Sequence, residues 1–279
     1  MHHILFEYSF MIRALAGALL ASITAGIAGT YIVSRRLVFL SGGVTHASFG
    51  GIGIGYFAGF SPIAGAAIFG VISALGVEYL SSSHKIREDS AIGILWALGM
   101  ATGIIFIYLT PGYSPNLMSY LFGSILTVTL ADLLALTILS LVLIIYFSLF
   151  YRTILYLSFD EMYARTYTKY ADHFKYISIS LVALTIVLNI RMAGVILVLS
   201  LLTIPPNIVM LFTRVYKRVI IWSIVTGFAG TLSGFTISWF AGIPAGATVI
   251  FTLVVLWIIC RVIAGFIPGD RNNEKQKAI

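Results

Sequence analysis

Apolar positions along this chain gather into long unbroken runs, and polar and charged residues are confined to the short stretches between them. The runs lie at 11–33, 37–59, 62–81, 90–109, 131–150, 176–191, 193–213, 219–241 and 245–264. About 20 apolar residues carry a helix across a hydrocarbon core, so the pattern predicts eight or nine spans, depending on whether 176–213 forms two helices or a broken pair. Alternation with a period of two is missing: Leu133 to Phe147 is apolar on every side, which excludes a membrane β-barrel. Helices satisfy their own backbone hydrogen bonds in lipid. The predicted fold is therefore an all-α, polytopic helix bundle forming a single unit over 1–279. Its largest cytoplasmic connection lies at 151–175.

Two segments are not simple spans. After Pro111, Gly112 and Pro115 comes a short apolar piece, Leu117 to Leu126, too short to cross and expected to form an outer-face or re-entrant helix. Ile204-Pro205-Pro206-Asn207 lies inside the run 193–213. Prolines remove amide donors, so Pro205 and Pro206 predict a broken helix, serving either as a packed kink or as the lining of a water-filled path.

Composition narrows the class. Of 279 residues, 59% are hydrophobic and only 10% charged, where a soluble domain has about 25% charged. A soluble enzyme, a disordered tail and a disulfide scaffold are excluded, and little length is left for an extramembrane domain. The net charge is +7, yet its sources sit between the apolar runs, which points to the positive-inside rule and not to nucleic acid. With the N-terminus outside and nine spans, every Lys and Arg except Arg13 and Arg191 falls on the cytoplasmic side. The connections at Phe60-Ser61, 110–129 and Gly242 to Pro244 hold none. The first run, with Glu7 before it and no small-residue cleavage site, reads as a retained span. Cys260, the single cysteine, leaves no intramolecular disulfide to form.

Candidate chemistry concentrates between Ser41 and Gly59. Gly43, Ala47, Gly51, Gly55 and Gly59 recur every fourth residue, which bares one helix face for close packing and places this helix at the centre of the bundle. Each such glycine weakens a helix by up to about 1 kcal/mol relative to Ala, a cost that lipid exposure alone would not offset. His46 sits at the edge of that face as the only histidine inside a predicted span; His2, His3, His84 and His173 fall in ends or loops. An ionisable group in a membrane segment marks a transport path or proton relay, or hydrogen-bonds across a helix interface. The chain has no phosphate loop, no His-Glu-x-x-His and no Gly-x-Ser-x-Gly, so any energy for pumping must come from another polypeptide. Ser158 to Tyr170 mixes both charge signs with aromatics and predicts a short amphipathic helix, either a solvated surface loop or a docking element.

The order of short motifs resembles that of the membrane permease subunits of ABC importers for zinc, manganese or iron. Those motifs are Val33-Ser34-Arg35-Arg36-Leu37, Thr45-His46-Ala47, Glu88-Asp89-Ser90-Ala91-Ile92-Gly93, Leu121-Phe122-Gly123-Ser124-Ile125-Leu126, Phe159-Asp160 with Ala164, Ala193-Gly194-Val195 through Pro205, and Ile243-Pro244-Ala245-Gly246-Ala247-Thr248. The resemblance implies a type II importer fold in a bacterial inner membrane, a homodimer, cytoplasmic ATP-binding subunits that use the ATP, and an extracytoplasmic metal-binding protein. No cofactor is implied for this chain, whose cargo would be a divalent metal ion. The segment with Phe159, Asp160, Ala164 and Arg165 would be the coupling helix seated on the ATPase. His46 matches the histidine of the family's Asp-x-x-x-His pair on the metal path, with Thr45 and Ser48 beside it. The aspartate is missing here: its position is Gly42. Imidazole without a carboxylate suits zinc better than manganese, with iron open. The alternatives are a metal-chelate or siderophore permease, a passive channel, and an ion-driven carrier.

Overall fold

The computed structural model describes residues 9–82, 86–111 and 128–266. Its helices are α1 (Ser9–Ser34), α2 (Val38–Ala58), α3 (Pro62–Ser82), α4 (Glu88–Leu109), α5 (Leu130–Leu149), α6 (Tyr151–Phe159), α7 (Glu161–Tyr167), α8 (Ala171–Ala193), α9 (Val195–Met210), α10 (Tyr216–Ala241) and α11 (Ala245–Phe266). No strand occurs among the described residues. Every apolar run became a helix, and the all-α bundle is the fold. The short piece Leu117 to Leu126 lies outside the described residues.

The span count needs correction. Among the described residues seven helices are long and apolar enough to cross a membrane, namely α1, α3, α4, α5, α8, α10 and α11, where the sequence pattern predicts eight or nine. α2 has the length, but its glycines, hydroxyls and His46 dilute its hydropathy. α9 has 16 residues, about 24 Å of helix at 1.5 Å per residue, short of the roughly 30 Å core.

A second correction concerns Pro205 and Pro206. α9 runs through both without a break. The prolines cannot donate to the carbonyls of Leu201 and Leu202, four residues earlier, so those oxygens need other surroundings. The Leu202 carbonyl oxygen turns onto Gly29 of α1, where a Cβ would collide with it, leaving the glycine Cα–H to contact it. Both prolines are buried, with Pro205 facing Gly227 of α10. The chain breaks one element earlier, at Gly194, whose φ of 76° and ψ of 163° lie where residues with a side chain rarely go. That single residue separates α8 from α9.

α8 is the hub of the bundle. Two thirds of its spanning window is buried, against 11% for α11 and 17% for α4, and it packs on α1, α2, α3, α5, α6, α7 and α9. The outward faces of α4 and α11 carry Ile94, Leu98, Ile105, Phe251, Ile258 and Val262, all exposed, as a lipid-facing surface requires. α2 is buried, clasped between α3 and α4. Its bare faces do the clasping. A Cβ at Gly51 would strike the Gly65 backbone of α3, and Gly99 of α4 lies equally close to the Ala47 backbone. Gly43 faces the Ile92 side chain and Gly55 faces Pro62. Gly59, expected to pack with them, instead ends the helix: its φ is 73°, its amide donates back to Gly55 and Tyr56, and nothing approaches it.

Candidate functional site

His46 is partly buried on α2. Its ring lies flat on the Trp96 indole of α4, with centroids 4.2 Å apart and planes 2° from parallel, and Phe49 adds a second ring at 6.3 Å. Nδ1 is buried and has no hydrogen-bond partner among the described residues. Stacking thus fixes the ring plane while the ring nitrogens keep their lone-pair and N–H capacity. One turn earlier on each helix stand Gly42 and Gly93, and a Cβ at either would meet nothing within 4 Å. The imidazole stacked on the indole thus stands one turn from two glycines with free space at their Cβ positions, and this strip of α2 and α4 is the candidate slot.

Thr45 and Ser48 do not share that slot. Both are buried on the packed side of α2 and donate to backbone carbonyls of their own helix, Thr45 to Ser41 at 2.6 Å and Ser48 to Thr45 at 2.6 Å. A helix turns about 100° per residue, so neighbours of His46 in sequence face elsewhere. Trp96 is the residue that sequence reading missed. Its only signal is position, three residues beyond the Glu88 to Gly93 stretch on the partner helix. Among the described residues no group of three or more His, Cys, Asp or Glu converges on a point. His173, expected in a loop, stands exposed in the first turn of α8 at the cytoplasmic end.

In the connection expected on the cytoplasmic side, α6 and α7 meet at Asp160, whose carboxylate accepts the Tyr163 amide at 2.9 Å and caps α7. The four residues expected to dock a partner have different surroundings. Phe159 is exposed, Asp160 is used as the cap, Arg165 pairs with Glu161 at 2.9 Å and Asp172 at 3.0 Å, and Ala164 is fully buried against Leu157 and Ala171. Ala164 faces inward because α7 needs one small residue to lie close on α6 and α8. The outward face carries Phe159, Met162 and Tyr163, with Met162 81% exposed. Helical spacing from the cap would have identified Met162, since it lies on the side opposite Ala164.

Glu161 anchors the other side of α7. Its carboxylate lies 2.7 Å from Lys175 Nζ of α8 and 3.5 Å from Arg35 at the end of α1, and both of these cations also reach Glu78 of α3, at 3.0 and 3.4 Å. Burial pushes the Glu161 carboxyl up, but the surrounding Lys175, Arg35 and Arg165 outweigh it and hold it below the usual carboxylate range. On the outer side Arg191, one of the two cations off the cytoplasmic face, pairs with Asp132 at 2.9 Å. That carboxylate also completes a capping box with Thr129.

Ala164→Phe is expected to unseat α7, because inserting volume into a fully buried contact costs about 1–3 kcal/mol. Limited proteolysis should then cut the 160–168 segment faster than in the parent. Met162→Asp, on the exposed face, should leave the proteolysis rate unchanged.

Residues 7–264 match the model of the ABC 3 transport family. The chain is 34% identical over 250 residues to a probable metal transport system membrane protein of Chlamydia pneumoniae, covering 88% of this chain and 85% of the relative. It is 29% identical over 260 residues to a manganese transport system membrane protein of Listeria monocytogenes, covering 93% and 92%. Among solved structures it resembles PsaBC from Streptococcus pneumoniae in complex with Fab, with a TM-score of 0.82, 26% identity, and coverage of 99% of this chain and all of that one.

Proposed function

Because the chain belongs to the ABC 3 transport family, we propose that it is the membrane permease subunit of an ATP-driven importer of divalent transition-metal ions. The observation that carries this reading is α7. It is a short cytoplasmic helix whose exposed Met162 and Tyr163 adjoin the exposed Phe159 at the end of α6, and its other face is tied by ion pairs to α8 and the end of α1. A chain with no nucleotide-binding motif and such a helix is built to be driven from outside. The ATP-binding subunits dock on Phe159 and Met162, and an extracytoplasmic binding protein delivers the metal.

The cargo passes His46. One imidazole cannot complete a coordination shell, and a two-fold dimer brings a second copy to the axis. Two imidazoles hold a borderline cation loosely enough to release it, as conduction requires. Zinc is favoured over manganese, because Gly42 presents no carboxylate and harder cations select oxygen ligands. The named manganese relative and this chain would then differ in preference at that residue position. Gly42→Asp tests this directly: a Cβ there has open space, so the variant should fold and raise the ratio of manganese to zinc uptake several-fold. An unchanged ratio would assign metal choice to another residue.

Two measurements test the function itself. The chain should co-purify with a nucleotide-binding subunit encoded by the same cell, and its deletion should lower cell zinc, iron or manganese in media limited for each metal. Uptake that persists without any ATPase would instead identify a channel or carrier.

A further inference from the structure

We infer that Glu161, Lys175, Glu78 and Arg35 form a closed charge relay that transmits displacement of α7 to the spans, with Glu161 as its moving member; the inference rests on the transporter reading above.

The four groups alternate in sign around a ring. Glu161 and Glu78 each contact both Lys175 and Arg35, at 2.7 and 3.5 Å for Glu161 and at 3.0 and 3.4 Å for Glu78. The Tyr31 hydroxyl accepts a further hydrogen bond from Arg35 at 3.2 Å. The ring is neutral in sum and shielded from water: the Lys175 side chain is 1% exposed, Glu78 8% and Arg35 12%. Glu161 is the exception at 31%, as befits the member at the rim. The ring joins α1, α3, α7 and α8, one residue from each helix or its end.

The physical consequence follows from burial. If α7 were drawn away alone, Lys175 and Arg35 would each lose one of two carboxylates, and two cations would share Glu78, with Lys175 and Glu78 buried. Leaving a buried charge short of its partner is strongly unfavourable. Lys175 and Arg35 therefore move with Glu161, taking α8 and the end of α1 with them. Besides the ring, α7 is held by a small apolar contact of Ala164, Leu157 and Ala171 with Tyr156 and Phe174 beside them, and by the exposed Arg165–Asp172 pair at 3.0 Å.

The relay also leads toward the cargo slot. Arg35 stands in the tight turn between α1 and α2, where Arg36 has a φ of 62° and the Leu37 amide donates to the Ile32 carbonyl at 2.9 Å. Leu37 caps α2, the helix that carries His46. A shift of Arg35 is thus passed to α2 through a corner closed by backbone hydrogen bonds.

The test uses the reconstituted complex with its ATPase and binding protein, and it reads metal moved per ATP hydrolysed. The Glu161→Gln/Lys175→Met double variant removes one charge of each sign and leaves Arg35 paired with Glu78, so it should assemble with the ATPase in normal yield. Hydrolysis should stay within about two-fold of the parent while metal per ATP falls at least ten-fold. Lys175→Arg, which keeps the charge, should retain most of the ratio. A double variant with the parental ratio overturns the relay. So does one whose uptake and hydrolysis fall together in proportion to lost assembly, because that marks a structural role alone. Failure of the parent complex to move metal would count against the transporter reading and not against the relay.

Discussion

Cells carrying His46→Ala are expected to accumulate no more metal than cells lacking the protein, while the variant remains in the membrane at normal abundance and still binds its ATPase. His46 contributes little to folding: its Nδ1 has no partner among the described residues, and its main contact is the face of Trp96. Removing the ring leaves a gap at an edge that is already open, beside Gly42 and Gly93, so the cavity penalty that follows truncation in a closed core is largely avoided. The chemistry has no such reserve, because among the described residues no group of three or more His, Cys, Asp or Glu stands ready to hold a metal in its place. Uptake of radiolabelled zinc or cell metal content checks the loss, and ATPase co-purification checks the assembly. Normal uptake by the variant would remove His46 from the path.

Gly51→Val should have the opposite profile, with loss of the folded protein itself. Measured by helix propensity, replacing a helical glycine is favourable by up to about 1 kcal/mol. Here the new Cβ would strike the Gly65 backbone of α3. Overpacking a core costs about 1–3 kcal/mol when side chains can yield, and a backbone of a packed helix yields less. The α2–α3 contact should separate, with most of the protein lost from the detergent-soluble, monodisperse fraction and a lower melting temperature for what remains. Gly42→Ala is the matched control. It lies on the same helix with open space around its Cβ, so its melting temperature should hold or rise.

Much of this was legible in the sequence, and the particular residues show why. Runs such as 131–150 predict helices because lipid forces the backbone to satisfy itself, and each run did form one. The glycine face from Gly43 to Gly55 was legible because only small residues permit backbone contact. Other expectations failed for local reasons. Pro205 and Pro206 read as a break because the rule counts lost amides within one helix. The relief came from Gly29 on another helix, which no reading of α9 alone contains. Ala164 and Asp160 read as docking residues from a motif, yet one packs inward and the other caps. Thr45 and Ser48 read as companions of His46 by adjacency, although helical rotation turns them away.

The membrane character and the helix positions follow from sequence alone, because hydropathy is a property of single residues summed along the chain, and the placement of Lys and Arg gives an expected orientation on the same ground. Which residues meet across the bundle is a different kind of fact. The stacking of His46 on Trp96 joins two helices, and the ring of Glu161, Lys175, Glu78 and Arg35 joins four elements. Within the ring, Glu78 and Lys175 belonged to no sequence motif, and Arg35 stood only within Val33-Ser34-Arg35-Arg36-Leu37. Their meaning comes from burial, which makes a charge tolerable only beside its counter-charge. Only the packing of α1, α3, α7 and α8 decides which partners those charges find.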